Sequence, residues 1–357
     1  DSDGKGTPVY NVYQPRPGVN AWYYAQAVRE MSQSQWILAL AKGIRERSTD
    51  FRYEMFGNQR LPVPPPDEQA AIVRFLDHAN RKIDGFIRAK RKLIGLLNEQ
   101  KQAIIHRAVT HGLDPNVPLK PSGVPWLGDI PRHWVVKKLR FLFRYVKGTR
   151  AAVLTNEYIG ANAGEFPVFS GQTEYGGMMG RISWHEFDFQ SPVVFVSTVG
   201  ARAMTTRLLS GKFSLSQNCA LIIPLNSQAN PTYFEKVFQR LFAFERHSIS
   251  QIMQPSLRFA DLNRFYVPHP PGDEQQEIAA EIEHECSKLT TAIARTEREI
   301  ALMQEYRTRL TADVVTGKLD VRPAAASLTD LIPDFSLEPV TRELADENEP
   351  EEADAVP

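Results

Sequence analysis

The chain has 357 residues, of which 42% are hydrophobic, and its 42 Lys and Arg side chains balance 42 Asp and Glu side chains. This length leaves room for two or three domains, and no apolar run approaches the roughly 20 residues that a membrane helix needs. The two cysteines, Cys219 and Cys286, lie far apart and outside any CxxC pair, so a reducing, cytoplasmic setting is expected and a zinc site is not.

The first 64 residues contain a short strand-like run and one predicted helix. The run covers positions 8–13, and the helix is indicated by Tyr23, Tyr24, Ala27 and Val28. We interpret residues 1–64 as the C-terminal remnant of a domain whose more complete counterpart follows later in the chain.

Two segments of the chain repeat each other. Residues 67–114 align with residues 273–320 without a gap, and 14 of the 48 aligned pairs are identical. The first segment begins with Pro-Pro-Asp-Glu-Gln at 65–69 and the second with Pro-Pro-Gly-Asp-Glu-Gln at 270–275. The prolines stop a helix from extending backwards. We therefore predict one long helix at 65–114 and a second at 271–322. The 42 residues at 67–108 and at 273–314 would each span roughly 63 Å at 1.5 Å per residue.

Apolar positions recur in both segments with the 3–4 spacing of a coiled coil. In the first segment they form two series, with Lys90 interrupting the second: Ile72, Ala79, Phe86 and Leu93, and Leu76, Ile83, Leu97 and Ile104. In the second segment the corresponding positions are Ile282, Leu289, Thr296, Met303 and Leu310, alternating with Cys286, Ile293 and Ile300. Residues 67–108 carry 9 basic and 5 acidic side chains, a net of +4, whereas residues 273–314 carry 5 and 10, a net of −5. Opposite charges favour pairing of the two helices with each other.

The residues between the helices predict one α+β domain at 115–270. Short strand-like runs at 193–196, 220–223 and 265–267 are separated by turn-forming clusters. Asn230-Pro231-Thr232-Tyr233 is typical of a helix cap, with a helix near 232–246. Between Arg132 and Ser214 the sequence has 11 Lys and Arg against 5 Asp and Glu, a net of +6, which suits contact with a polyanion.

The C-terminal segment has the opposite charge. Residues 323–357 contain 1 Arg against 10 acidic residues, a net of −9, and few aromatic side chains. This composition predicts an acidic disordered tail.

The order of these segments, together with one local motif, resembles the specificity subunits of type I restriction–modification enzymes. The motif is Ser122-Gly123-Val124-Pro125-Trp126-Leu127-Gly128-Asp129-Ile130-Pro131-Arg132-His133-Trp134, which is similar to the segment that opens the target-recognition domains of this family. The resemblance covers roughly residues 8–322. It implies an α+β fold in which target-recognition domains are joined by two long helices that form an antiparallel coiled coil.

The resemblance also implies a function and a set of partners. Each target-recognition domain would read one half of a bipartite double-stranded DNA target, and the paired helices would dock methyltransferase subunits. A restriction and translocation subunit would complete the complex. S-adenosylmethionine, ATP and Mg²⁺ are expected on those partner subunits, and no cofactor is expected in this chain. Because most of a first recognition domain would precede Asp1, the resemblance implies an N-terminally truncated subunit.

DNA recognition requires side chains that reach base edges and others that bind phosphates. The candidates for base or groove contact are Ser170, Gln172, Thr173, Tyr175, Arg181, Arg202, Thr205, Gln217 and Asn218. The candidates for phosphate contact are Lys137, Lys138, Arg140, Arg144, Lys147 and Arg150.

The repeated Asp-Glu-Gln has two interpretations that do not exclude each other. The first is helix capping, because the first turn of a helix has free N–H groups. The second is docking of a methyltransferase subunit by Asp67, Glu68 and Gln69 and by Asp273, Glu274 and Gln275.

The sequence contains no convincing catalytic motif. Asn230-Pro231-Thr232-Tyr233 lacks the second proline of the adenine methyltransferase motif, and neither a GxxxxGK[ST] nor an HExxH motif occurs. We therefore predict a non-catalytic recognition subunit with no metal site. Two alternatives stay open: the C-terminal specificity region of a fused methyltransferase or nuclease, and a coiled-coil scaffold that binds no DNA.

Overall fold

The computed structural model describes residues 14–40, 56–171, 174–200, 202–248 and 255–328. The chain divides into two compact units, which we call the terminal unit (Asp1–Ala89 with Ile300–Pro357) and the central unit (Lys90–Glu299). The predicted strand at 8–13 and the tail beyond residue 328 lie outside the described residues.

The helices and strands follow one another in this order: α1 (Ala21–Gln33), α2 (Trp36–Leu40), α3 (Pro66–His111), β1 (Leu119–Pro121), β2 (Asp129–Pro131), β3 (Val135–Lys138), β4 (Phe143–Val146), α4 (Asn156–Ala161), β5 (Ala163–Phe169), β6 (Met178–Ile182), β7 (Phe187–Ser197), β8 (Thr206–Leu215), β9 (Cys219–Pro224), α5 (Pro231–Ser248), α6 (Phe259–Leu262), β10 (Tyr266–His269), α7 (Gly272–Val315) and α8 (Arg322–Ala326). The predicted long helices are confirmed, because α3 has 46 residues and α7 has 44 without a break.

The central unit is built on a six-stranded sheet with the strand order β4-β9-β7-β8-β5-β6. Neighbouring strands are antiparallel except for β5 and β8, which are parallel. Two further antiparallel pairs, β1 with β2 and β10 with β3, lie outside this sheet. The predicted runs at 193–196 and 220–223 are confirmed as the buried parts of β7 and β9.

Helix α5 provides the largest aromatic contribution to the core of the central unit. Its Tyr233, Phe234, Phe238 and Phe242 side chains are all fully buried. They pack in one cluster with Val194 and Val196 of β7, Ala220 and Ile222 of β9, and the two long helices. This burial follows from the spacing of the apolar residues along one face of α5. It fixes the sheet against the helices.

The long helices pair with opposite directions in the central unit. Lys90 forms an ion pair with Glu299 at 2.7 Å, and Lys101 donates a hydrogen bond to Thr290 at 2.9 Å. Farther along α3, Ile105 and Val109 pack in the same cluster as Ile278 and Ile282 of α7. The partner numbers fall as the α3 numbers rise, so the pairing is antiparallel.

The same antiparallel pairing occurs within the terminal unit. Ile72 and Leu76 of α3 cluster with Val314 and Val315 of α7, and Asp84 forms an ion pair with Arg307. Tyr23 of α1 joins this cluster and donates its hydroxyl hydrogen to the Val315 carbonyl at 3.1 Å. The predicted coiled coil is therefore confirmed in each unit.

Some details differ from the sequence analysis. Leu93, predicted in the helix seam, is 39% exposed, whereas Lys90, Ile94 and Lys101 are half-buried. The contact face of α3 here passes through these positions, where Lys90 and Lys101 make polar pairs with α7. Residues 323–326, predicted as the start of the disordered tail, are helical, since α8 covers Arg322–Ala326 and buries Ala325. Within the described residues, no helix is long and apolar enough to cross a membrane.

Introducing a charge into the seam tests the helix pairing in the terminal unit. Ile83 is 5% exposed, so an aspartate at this position would bury an unpaired carboxylate. We expect Ile83→Asp to lower the free energy of unfolding by about 3 kcal/mol, measured by urea denaturation. The matched control is Leu302→Asp, because Leu302 is 58% exposed on α7. Equal loss of stability in both variants would contradict the seam.

Candidate nucleic-acid interface

Three turns of the central unit lie against one another. They are Ser170–Gly171 after β5, Thr198–Thr205 between β7 and β8 except for the undescribed residue 201, and Ser216–Asn218 between β8 and β9; we call them the turn cluster. The Thr198 N–H donates to the Asn218 carbonyl at 2.7 Å, and the Ser216 N–H donates to the Phe169 carbonyl at 2.9 Å. Backbone hydrogen bonds thus join all three turns into one surface.

The backbone of the turn cluster is held in uncommon conformations. Met204 and Asn218 have φ angles of 66° and 62°, which cost of order 1–3 kcal/mol each for residues other than glycine. The Ser197 side chain holds the turn between β7 and β8, because its hydroxyl donates to the Arg202 carbonyl at 2.6 Å and accepts from the Thr205 N–H at 3.0 Å. A surface held in this way presents its side chains at fixed positions.

Five of the predicted base-contact residues meet in this cluster. Arg202, Gln217 and Asn218 are exposed there, and Thr205 is half-buried. Ser170 also lies in the cluster, but it is 8% exposed and therefore differs from the groove-facing position that the sequence analysis gave it. The exposed guanidinium and amide groups are the types that bind guanine and adenine edges.

The other predicted base-contact residues are not brought into the cluster by the described contacts. Arg181 lies on β6, and its guanidinium donates to the Glu165 carbonyl of β5 at 2.6 Å. Tyr175 belongs to a short 3₁₀ turn at Glu174–Gly177. Gln172 and Thr173 lie outside the described residues.

Arg207 forms a hydrogen bond with the backbone of the turn cluster and was missed by the sequence analysis. Its guanidinium lies 4.2 Å from the Phe195 ring centroid and donates to the Ser170 carbonyl at 3.2 Å. A Cβ on Gly177 would lie 2.0 Å from this guanidinium, so a larger residue there would require Arg207 to move. Burial raises the pKa of the neighbouring Cys219 thiol to about 12, which makes this cysteine an inert core residue.

The predicted phosphate contacts are spread over β3, β4 and the segments that follow them. Lys138, Arg140 and Arg150 lie over the rings of Tyr266, Phe141 and Trp184, at 5.3, 4.8 and 5.2 Å from the ring centroids. Arg144 and Lys147 are exposed, and Lys137 is half-buried.

The motif that carried the family resemblance anchors the domain to α7. Its Trp126, Leu127, Ile130 and Trp134 side chains are buried. Trp134 donates its indole N–H to Glu274 Oε1 at 2.9 Å, and His133 Nε2 lies 2.8 Å from Glu274 Oε2. Gly112, with a φ of 74°, ends α3 against Trp134 and Glu274. The domain is therefore held at the start of α7.

A buried glutamine makes a second connection at this place. Gln275 is fully buried; its Oε1 accepts from the Asn230 N–H at 2.9 Å, and its Nε2 donates to the Gln228 and Pro270 carbonyls at 3.0 and 2.9 Å. The Asn230 side chain in turn caps α5, accepting from the N–H groups of Thr232 and Tyr233. The cap interpretation of Asn230–Tyr233 is thus confirmed.

The terminal unit repeats this connection. Gln69 is 2% exposed, accepts from the Asn20 N–H at 3.0 Å and donates to the Pro64 carbonyl at 2.8 Å. Asn20 caps α1 by accepting from the N–H groups of Trp22 and Tyr23. Helix α1 therefore has the same relation to α3 that α5 has to α7, which supports the interpretation of residues 1–64 as the end of a similar domain.

These contacts change the interpretation of the Asp-Glu-Gln repeat. Gln69 and Gln275 face inward, and Glu274 is bonded to the chain's own Trp134, which differs from the partner-facing positions that the sequence analysis gave them. Glu68 Oε2 lies 4.0 Å from Arg322 Nη1. Asp67 and Asp273 are exposed in the first turn of their helices. Docking of a partner at these helix starts stays a prediction.

In the part of the chain that the structure describes, no three His, Cys, Asp or Glu side chains group together as a metal site.

The fold and the turn cluster define a class: an α+β recognition domain seated on an antiparallel helix pair. Residues 131–300 match the model of the family described as the type I restriction modification DNA specificity domain. The resemblance to the specificity subunits of type I restriction–modification enzymes is thereby confirmed.

Curated relatives agree with this assignment. A protein of Mycoplasma pneumoniae described as a type I specificity subunit is 30% identical over 147 residues, which are 40% of this chain and 47% of that protein. A second such protein of the same organism is 25% identical over 160 residues, 44% of this chain and 43% of that one. The chain thus matches less than half the length of these relatives.

A solved structure shows the same fold. It comes from work on complex assembly and conformational transition of the type I R-M system and has a TM-score of 0.58 at 14% identity, covering 82% of this chain and 71% of that chain.

Removing the Gln275 amide tests the connection between α5 and α7. Gln275→Leu would leave the Asn230 N–H and the Gln228 and Pro270 carbonyls without their buried partner. We expect the free energy of unfolding to fall by about 2–3 kcal/mol, measured by urea denaturation. Gln276→Leu is the control, because Gln276 is exposed on the same turn. Unchanged stability of Gln275→Leu would show that the connection does not stabilise the fold.

Two partly buried histidines predict sensitivity to mild acid. Burial lowers the pKa of His106 and of His269 below the ordinary value of 6.5, and the nearby charges of Arg240 and Lys137, respectively, lower it further. Because the unfolded chain binds these protons at higher pH, stability is complete above about pH 6.5 and falls as the pH drops below it. We expect a lower Tm at pH 5.5 than at pH 7.5, with a smaller difference in His269→Gln. An identical difference in that variant would refute the contribution of His269.

Proposed function

We propose that this chain is the non-catalytic DNA specificity subunit of a type I restriction–modification complex. The observation that carries the proposal is the turn cluster, which lies within the region that matches the DNA specificity domain at 131–300 and exposes Arg202, Gln217 and Asn218. Double-stranded DNA is the partner of this surface. We place the complex in the cytoplasm, where its DNA substrate would be.

The turn cluster suits direct reading of bases. An arginine can bind guanine O6 and N7 through two hydrogen bonds, and an asparagine or glutamine can bind adenine N6 and N7 in the same way. Each such contact discriminates by about 1–3 kcal/mol, provided that the side chain is held in place. The left-handed backbone at Asn218 and the Ser197 hydrogen bonds supply that rigidity.

The remaining subunits would perform the chemistry. In this proposal methyltransferase subunits bind S-adenosylmethionine, and a restriction and translocation subunit uses ATP and Mg²⁺. The exposed Asp67 and Asp273 mark equivalent positions at the two helix starts, so each suits one methyltransferase subunit. The α1–α3 and α5–α7 connections have the same construction. From this repeat we infer two recognition domains and a bipartite target.

Methylation mapping tests the proposal. The chain is co-expressed with its cognate methyltransferase subunit, and N6-methyladenine is mapped across the host genome. We expect one defined motif. Arg202→Ala, Gln217→Ala and Asn218→Gly should each relax that motif at one position, because about 1–3 kcal/mol of discrimination is lost there. Glycine at position 218 retains the left-handed backbone.

The control variant is Arg295→Ala, whose side chain is 81% exposed on α7 and should leave the motif intact. Methylation that is absent, or unchanged by co-expression, would refute the specificity role. Methylation by this chain without the partner would instead indicate a fused enzyme.

A further inference from the structure

A basic cleft in the central unit has no role in the function described so far. It has a volume of about 810 Å³ and lies between α5 and the long helices. Its charged lining consists of Lys101 from α3, Lys236, Arg240, Arg246 and His247 from α5, and Glu283 from α7. The lining thus contains four Lys and Arg side chains and one carboxylate.

The cleft uses the face of α5 that does not pack into the core. Positions 236, 240, 243 and 247 line the cleft and follow the three- and four-residue spacing of one helical face. The opposite face carries the buried aromatic side chains of the core. The basic side chains of α5 therefore stand on a helix whose position is fixed, which suits a ligand of defined geometry.

The charges of the cleft are only partly neutralised within the protein. Glu235 pairs with Lys236 at 3.0 Å. Arg240 has its Nε buried without a hydrogen-bond partner in the described chain, although a buried donor normally has one. Uncharged hydrogen-bonding side chains complete the walls, among them Gln102, Gln239 and Thr291. An anion with several oxygen atoms would satisfy these donors.

The cleft reaches the turn cluster. Met204 and Thr205, which belong to the turn between β7 and β8, line it together with Thr206. A polyanion in the cleft would therefore pass directly beside the side chains that we assign to base reading. Successive phosphates of a DNA strand match this arrangement, because they form a continuous row of anions next to the groove edges.

We propose that this cleft binds the phosphate backbone of the target DNA, with Arg240 and Arg246 as its principal phosphate contacts. The proposal rests on the proposed function and adds a surface to it. The sequence analysis placed phosphate contacts at 137–150 and did not include α5. Phosphate contacts fix the register of a protein on DNA without selecting a sequence.

The test uses the complex with the cognate methyltransferase subunit and a duplex that contains its mapped motif. Arg240→Gln with Arg246→Gln should weaken binding about tenfold at low salt. The slope of log K against log salt should fall by about 1.8, since each lost phosphate contact contributes about 0.9. The methylated motif should stay the same. Arg246→Gln alone, at an exposed position, should give about half of the change in slope and guards against misfolding of the double variant.

The control is Arg295→Gln with Arg298→Gln, which removes the same charge from exposed positions of α7 outside the cleft. An unchanged affinity and slope in the double variant would overturn the proposal. A changed motif would show base reading by the cleft, and loss of the methyltransferase subunit would show a protein interface, so either result would also overturn it. Failure of the wild-type complex to methylate a motif would count against the proposed function instead.

Discussion

A buried glutamine amide fixes the start of each long helix to the helix cap that precedes it. Gln69 and Gln275 each accept from the backbone N–H of an asparagine and donate to a proline carbonyl. These groups lie away from water, where an unpaired donor or acceptor costs about 1–3 kcal/mol. The arrangement therefore has little freedom, because any rotation of α5 against α7 would break several hydrogen bonds together. The position of the recognition domain depends on this constraint.

The indole of Trp134 adds a second contact at the start of α7. It reaches Glu274, the residue next to Gln275, from the opposite part of the domain, so α7 is held by two segments more than 90 residues apart in sequence. A charged acceptor strengthens such a bond, and the burial of Trp134 protects it from water. The domain that carries the turn cluster is therefore fixed to α7 by both the Trp134 and the Gln275 contacts. Strained residues such as Met204 and Asn218 are tolerated in that setting, because the surrounding structure imposes their conformation.

Much of the framework could be predicted because it depends on periodic patterns. The repeat and its heptads predicted α3 and α7, and the seam residue Ile83 is buried as expected. The same pattern failed at Leu93, because Lys90 and Lys101 make polar contacts with α7 that an apolar series does not show. Composition identified the residue types of the turn cluster, but not the burial of Ser170. Arg207 was missed because an arginine within a strand gives no signal of a half-buried guanidinium that lies over aromatic rings.

In the central unit, different residues are assigned to anchoring, to base reading and to phosphate contact. Anchoring uses Glu274, Gln275 and the Trp134 motif, whereas the exposed side chains of the turn cluster make few of the hydrogen bonds that hold the domain. Arg240 and Arg246, the proposed phosphate contacts, lie on a third element, α5, whose other face forms the core. Exposed turn residues contribute little to stability when they are replaced. A change at Arg202 or Gln217 can therefore alter which bases are read while the anchor and the phosphate contacts keep the domain in the same register on DNA.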